Sequence, residues 1–234
     1  GEVTGSFALT EPEAGSDAGS VRTRAVREGD DFVLNGSKRY ITNAPHAQLF
    51  TVFARTHAER TGGSGVSAFL VPADTPGISL GKPDRKMGQQ GAHVCDVVFA
   101  DVRVPATALL GGEERLHKGF GTAMKTLDRG RLHISALAVG TAERLIDESV
   151  RYALERKQFG QPIGEFQLLQ GMLADSRTEA YAGRCMVLDA AQRRDSGEDV
   201  SMLASCSKLF ATEMVGRVAD RAVQIFGGAG YMEE

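Results

Sequence analysis

Hydrophobic period changes once along this 234-residue chain, near residue 110, and that single switch limits the folds open to it. Before it, β-branched and aromatic residues alternate with polar ones in short runs at 6–10, 21–26, 32–42, 49–55, 66–71 and 95–104. Strands repeat every two residues, so these runs predict six strands. Glu28-Gly29-Asp30-Asp31 supplies a hairpin turn and Thr75-Pro76-Gly77 another turn. No long helical pattern separates the runs. That predicts an antiparallel sandwich or barrel and argues against a parallel sheet with crossover helices.

After the switch, Ile134, Ala138, Ala142, Leu145, Ser149 and Tyr152 recur at three- and four-residue steps, which predicts a helix over 131–156. Pro162 and Gly164 interrupt it. Helices are expected again over 165–194 and 200–226, separated by the polar turn Asp195-Ser196-Gly197-Glu198-Asp199 and stopped by Gly227-Gly228. Three long helices with short connections make an antiparallel bundle. The expected fold class is therefore α+β multidomain, with an antiparallel β-barrel or sandwich over 1–112 and a helical bundle over 113–234.

Composition narrows the partners. Lys and Arg number 27 against 30 Asp and Glu, a net charge of −3, whereas nucleic acid and anionic membranes call for a basic surface. No run approaches the ~20 apolar residues of a membrane span. Cys95, Cys185 and Cys206 lie far apart with no C-x-x-C pair, as in a reduced, intracellular protein. The five histidines form no metal-binding pattern. The chain runs from Gly1, without an initiator Met, to Glu234, three residues past Gly230-Tyr231. The expectation is an internal piece whose targeting signals lie elsewhere.

Four segments have the residue types of a ligand site, though each also has a plain structural reading. In Thr10-Glu11-Pro12-Glu13-Ala14-Gly15-Ser16-Asp17, Gly15 lets backbone N–H groups approach a ligand and Ser16 adds a hydroxyl; the same composition makes a polar turn. Tyr40 and Thr42 stand two apart in a strand, so ring and hydroxyl share a face; this also describes a half-buried surface strand. Arg156 complements a helix C-terminus and Gly160 can cap it, but Phe159 beside Gln158, and Phe166-Gln167 further on, exceed what a cap needs. Gln224-Ile225-Phe226-Gly227-Gly228-Ala229-Gly230-Tyr231 has more glycine than a helix stop requires, without G-x-G-x-x-G spacing.

Order is more specific than any single motif. The succession TEPEAGSD, NGSKRYITNA, LDRGR, ERKQFGQPIGEFQ and QIFGGAGY closely resembles the acyl-CoA dehydrogenase family along essentially the whole chain. The resemblance implies that family's middle β domain and most of its C-terminal helical domain, with FAD as cofactor. It implies that Leu9, Thr10, Tyr40, Ile41 and Thr42 meet the flavin ring, and that Gly15 and Ser16 stand near the FAD pyrophosphate and the acyl-CoA. Arg156, Gln158, Phe159, Phe166, Gln167, Gln224, Gly227 and Gly228 correspond to positions that hold the adenosine–pyrophosphate half, reaching it from the neighbouring subunit of a dimer. Asp128 and Arg131 correspond, with Ser16, to contacts with the CoA substrate.

The implied reaction is α,β-dehydrogenation of an acyl-CoA thioester, in which a carboxylate removes the α proton and the flavin accepts hydride. In most of the family the base follows a Gly-Tyr pair; in a minority it stands on the long helix, where this chain has Gly130. No catalytic residue is therefore assigned, and the base is expected beyond Glu234. The implied partners are a homo-oligomer (a dimer, or a dimer of dimers making a homotetramer) and an electron-transfer flavoprotein. The expected location is cytoplasmic in a bacterium or the mitochondrial matrix in a eukaryote. An acyl-CoA oxidase, a nitroalkane-oxidase-like flavoenzyme and a non-enzymatic DNA-binding flavoprotein share the fold and stand as alternatives.

Overall fold

The computed structural model describes residues 1–233, which divide into two compact units. In the first, β1 (Gly5–Ala8), β2 (Arg24–Glu28), β3 (Asp31–Thr42), β4 (Leu49–Arg55), β5 (Val66–Pro72), β6 (Ile78–Leu80) and β7 (Val94–Pro105) form one curled sheet. Its order is β1-β4-β2-β3-β7-β6, with β5 on the other edge of β4. The six expected strands are all present within a few residues. The seventh, Ile78–Leu80, follows the turn at Gly77, whose φ of +94° suits glycine. One expectation needs correcting: the sheet is mixed. β1 runs parallel to β4, Gly5 opposite Leu49 through Ala8 opposite Val52, and β2 touches β4 in a parallel bridge at Arg24 and Arg55. Side-chain period predicts strands but carries no information about which strands pair, or in which sense.

The inward faces bring Phe32, Phe50, Phe69, Phe99, Ile41 and Val97 into one core. Each fully buried Phe contributes roughly 1.5–3 kcal/mol of transfer free energy. A second cluster joins Leu9, Val21, Phe53 and Val66 to Phe120, Ala123 and Met124. The latter three belong to the first turns of α1 (Gly119–Glu155), which starts well before the expected 131. Because those turns pack on β residues, the first unit runs to Lys125 and not to 112.

In the second unit, α1 continues to Glu155 and is followed by α2 (Gln167–Asp195) and α3 (Ser201–Phe226). Ala138, Ala142, Ile146, Ala180, Ala211, Met214 and Val218 form its core. Small residues predominate, so the helix backbones approach closely; a Cβ on Gly183 would already stand 3.4 Å from Val139 and 3.5 Å from Met214. Among the described residues no helix is long and apolar enough to cross a membrane.

Candidate functional site

Within the helical unit, the chain leaves α1 at Glu155 with Arg156 N–H bonded to Tyr152 O (2.8 Å) and Arg156 O accepting from Ile163 N (2.8 Å). These bonds close a small hairpin of β8 (Lys157–Gln158) and β9 (Gln161–Pro162). Its two turn residues, Phe159 and Gly160, have φ of +55° and +83°. Positive φ at both positions is the type I′ pattern that suits a two-residue hairpin. Gly160 therefore serves the hairpin and does not cap the helix as expected. A phenylalanine with positive φ is a genuine outlier, of a kind that clusters at binding and catalytic sites. Phe159 is also 94% exposed, its ring meeting Phe166 edge-on at 6.0 Å.

The hairpin faces the end of α3. Tyr152 stacks on Phe226 at 4.4 Å, and Gly227, at φ +62°, turns the chain into the Gly227–Gly230 turn. The result is a cleft of about 510 Å³. It is lined by seven of the eight residues expected to hold the adenosine–pyrophosphate half: Arg156, Gln158, Phe159, Phe166, Gln224, Gly227 and Gly228. Gln167, at the first position of α2, is exposed and is not part of the lining. The donor set suits a dinucleotide: one guanidinium and two amides for phosphate and sugar oxygens, and aromatic rings for a base. Nothing lies within 4 Å of where a Cβ on Gly228 would stand. The same helical unit holds the Asp128–Arg131 ion pair on α1, with Ser201 Oγ donating to Asp128 (3.3 Å).

In the β unit, Leu9 and Thr10, in the segment after β1, are hydrogen-bonded to the second half of β3, which carries Tyr40, Ile41 and Thr42. Leu9 and Ile41 put their side chains in the two cores, which leaves only their main-chain groups for a ligand. Gly15 and Ser16 are exposed. Between Lys38 and Ile41 the register on β7 slips by one residue, and Tyr40 occupies this bulge with φ +57°. Across the bulge Lys38 and Ile41 are both buried, while Tyr40 and Thr42 are exposed. The Arg39 guanidinium lies 4.8 Å from the Tyr40 ring centroid.

Sequence reading missed the residues beneath this face. Lys38 is fully buried, its Nζ donating to Leu9 O (3.0 Å) and Glu11 Oε1 (2.7 Å). The Glu11 carboxylate also accepts from Arg22 N (2.6 Å) and Thr23 N (3.0 Å). Burial pulls the Lys38 ammonium down to about 8, against the opposing pull of Glu11. Burial also acts to raise the Glu11 carboxyl, but the Lys38 charge and the hydrogen bonds outweigh it and hold the pKa below the ordinary value. A signal existed: Phe32, Leu34 and Lys38 share one parity along β3, so alternation alone points Lys38 inward.

Among the described residues no group of three or more His, Cys, Asp or Glu is placed to hold a metal. Residues 6–102 match the family described as acyl-CoA dehydrogenase, middle domain, and residues 117–234 match acyl-CoA dehydrogenase, C-terminal domain. The chain is 48% identical over its full length to the probable acyl-CoA dehydrogenase YngJ of Bacillus subtilis, covering 61% of that protein. It is 44% identical over its full length to the 3-(aryl)acrylate reductase of Clostridium sporogenes, again covering 61%. The solved structure of butyryl-CoA dehydrogenase from Megasphaera elsdenii superposes with a TM-score of 0.94 at 41% identity, over 98% of this chain and 60% of that one. The chain thus spans about three fifths of the relatives it matches. With both units matched and the order of motifs accounted for, this chain belongs to the acyl-CoA dehydrogenase family.

Proposed function

We propose that the protein containing this chain is an FAD-dependent acyl-CoA dehydrogenase, and that the two units contribute different parts of its site. The supporting observation is convergence: seven residues drawn from three separate stretches of sequence line one cleft with a cation, amides, aromatic rings and glycines. In this reading the cleft takes the adenosine–pyrophosphate half of FAD from a neighbouring subunit. Arg156 neutralises phosphate charge, Gln158 and Gln224 hydrogen-bond to sugar and phosphate oxygens, and Phe159 and Phe166 cover the base. On the β unit, Tyr40 packs beside the flavin ring, and the hydroxyls of Thr10 and Thr42 donate to its edge. Ser16 on the β unit is read as one contact with acyl-CoA, and Asp128 and Arg131 on the helical unit are read, separately, as contacts with its CoA part.

When bound, FAD supplies the hydride acceptor for the substrate's β carbon. The chain's own residues hold and orient the reactants; the proton at the α carbon needs a carboxylate. Gly130, at the place a minority of the family uses for that base, has no side chain to remove it. The base is assigned to another segment of the protein. The intact enzyme works as a homo-oligomer, a dimer or dimer of dimers, in a bacterial cytoplasm or a mitochondrial matrix, and passes electrons to an electron-transfer flavoprotein.

Anaerobic addition of acyl-CoA thioesters of graded chain length to the full-length protein tests this reading. The visible flavin band should bleach, and colour should return with electron-transfer flavoprotein far faster than with air. Fast recovery in air would make the protein an oxidase, and no bleaching with any thioester would refute the assignment.

A further inference from the structure

Between Lys38 and Thr42, β3 pairs as a strand only with β7; on its other edge β2 ends its register at Asn35. There β3 faces the segment Ser6–Thr10 without a ladder. Three hydrogen bonds cross the seam instead: Ser6 Oγ to Thr42 O (2.7 Å), Arg39 N to Thr10 O (2.8 Å) and Lys38 Nζ to Leu9 O (3.0 Å). A fourth link runs from Lys38 to Glu11, whose carboxylate also gathers the amides of Arg22 and Thr23. One buried ammonium thus holds both sides of the seam. The residues read above as flavin contacts stand along it, Leu9 and Thr10 on one side, Tyr40 and Thr42 on the other.

We propose that the Lys38–Glu11 pair is a positioning device for the cofactor site, closing the seam and so setting Thr10 against Tyr40 and Thr42. Neither residue touches the cofactor in this scheme; both act through the backbone they hold. Their arrangement favours this over a purely stabilising role. Two apolar side chains would fill the same volume at lower desolvation cost, but could not bind the Leu9 carbonyl and two amides at once. The bulge at Arg39–Tyr40 serves the same end, since it lets Lys38 turn inward while Tyr40 faces out. The inference rests on the flavin-contact reading, and its test separates the two.

The test uses the full-length holoprotein carrying Glu11→Gln with Lys38→Met, which removes both charges together, beside Glu11→Gln alone, which keeps the Lys38–Leu9 bond. Amide hydrogen exchange reads the seam, and the visible flavin spectrum and reduction potential read the cofactor. In the double variant the Arg39 amide should exchange about tenfold faster, the factor expected for losing roughly one net hydrogen bond. The flavin band and potential should shift, while FAD content stays near one per chain through the helical cleft. Glu11→Gln alone should give a smaller change of the same kind, and it carries the test if the double variant does not fold. Unchanged Arg39 exchange in either folded variant overturns the positioning role. Faster exchange with an unaltered flavin spectrum and potential overturns the placement of the flavin along this seam, and with it the reading on which the inference rests.

Discussion

Lys38→Met offers a stability prediction whose size follows from the structure. The substitution keeps most of the aliphatic volume and removes the ammonium. Glu11, its side chain 5% exposed, is then left with only the amides of Arg22 and Thr23. Breaking a buried ion pair by removing one partner costs about 3–5 kcal/mol. The two remaining amide bonds place this case near the lower end, about 3 kcal/mol at neutral pH. The pH dependence has a definite sign. In the wild type the Glu11 pKa is lowered, so its contribution is present above the ordinary carboxylate pKa and is lost as pH falls through the folded value. In the variant, burial acts on Glu11 without a cation, its pKa rises, and protonation removes the penalty. The stability gap should therefore narrow between about pH 7 and pH 4. Urea unfolding of the two proteins at matched FAD concentration, followed by circular dichroism across that range, measures it. A gap below about 1 kcal/mol at neutral pH, or one that widens on acidification, would refute the argument.

Three further outcomes are expected. Gly36→Ala should lower stability by about 2–4 kcal/mol in thermal unfolding: its φ is +150° and the new Cβ would meet Thr23 Oγ1 at 2.5 Å and Thr23 Cα at 2.7 Å. Phe159→Asn should raise the melting temperature of the apoprotein slightly, because Asn tolerates positive φ, and yet weaken FAD binding; unchanged affinity would make Phe159 a turn residue only. Thr42→Val should keep FAD bound, since one hydrogen bond is worth only about 0.5–1.5 kcal/mol, and slow flavin reduction in stopped flow; a colourless mutant would contradict this.

The sequence disclosed the period switch, the three helices and six of the seven sheet strands, because these follow from local pattern. The cleft residues were named by the resemblance in motif order and not by local turn chemistry, which pointed Gly160 to a helix cap where it serves a hairpin. What stayed hidden depends on distant partners. Ile78–Leu80 is too short to show a period and is held by pairing with β7. The early turns of α1 contain Gly119 and Gly121, poor helix formers, and are held by Phe120 and Ala123 packing under Phe53 and Val66. Lys38 pointed inward by parity, but a buried lysine is read as an exposed one until its partners at Leu9 and Glu11 are known. The bulge that lets Ile41 be buried, at opposite parity to Phe32 and Leu34, left no mark in the local pattern, since Val33 of the same parity as Ile41 is also buried.

If the helical cleft holds the phosphate-bearing half of FAD, Arg156→Ala should weaken cofactor binding. As a cation at a helix end, Arg156 contributes only about 0.3–1 kcal/mol to stability. As a charge-assisted donor to a phosphate oxygen it contributes about 1.5–3 kcal/mol to binding, roughly a ten- to hundredfold change in affinity. FAD titration of the full-length apoprotein, wild type against Arg156→Ala, separates the two roles. Binding should be at least about tenfold weaker with the apoprotein melting temperature nearly unchanged, and the oligomer should loosen at low FAD and recover when FAD is added. An unaltered FAD affinity in a folded, intact oligomer would contradict it.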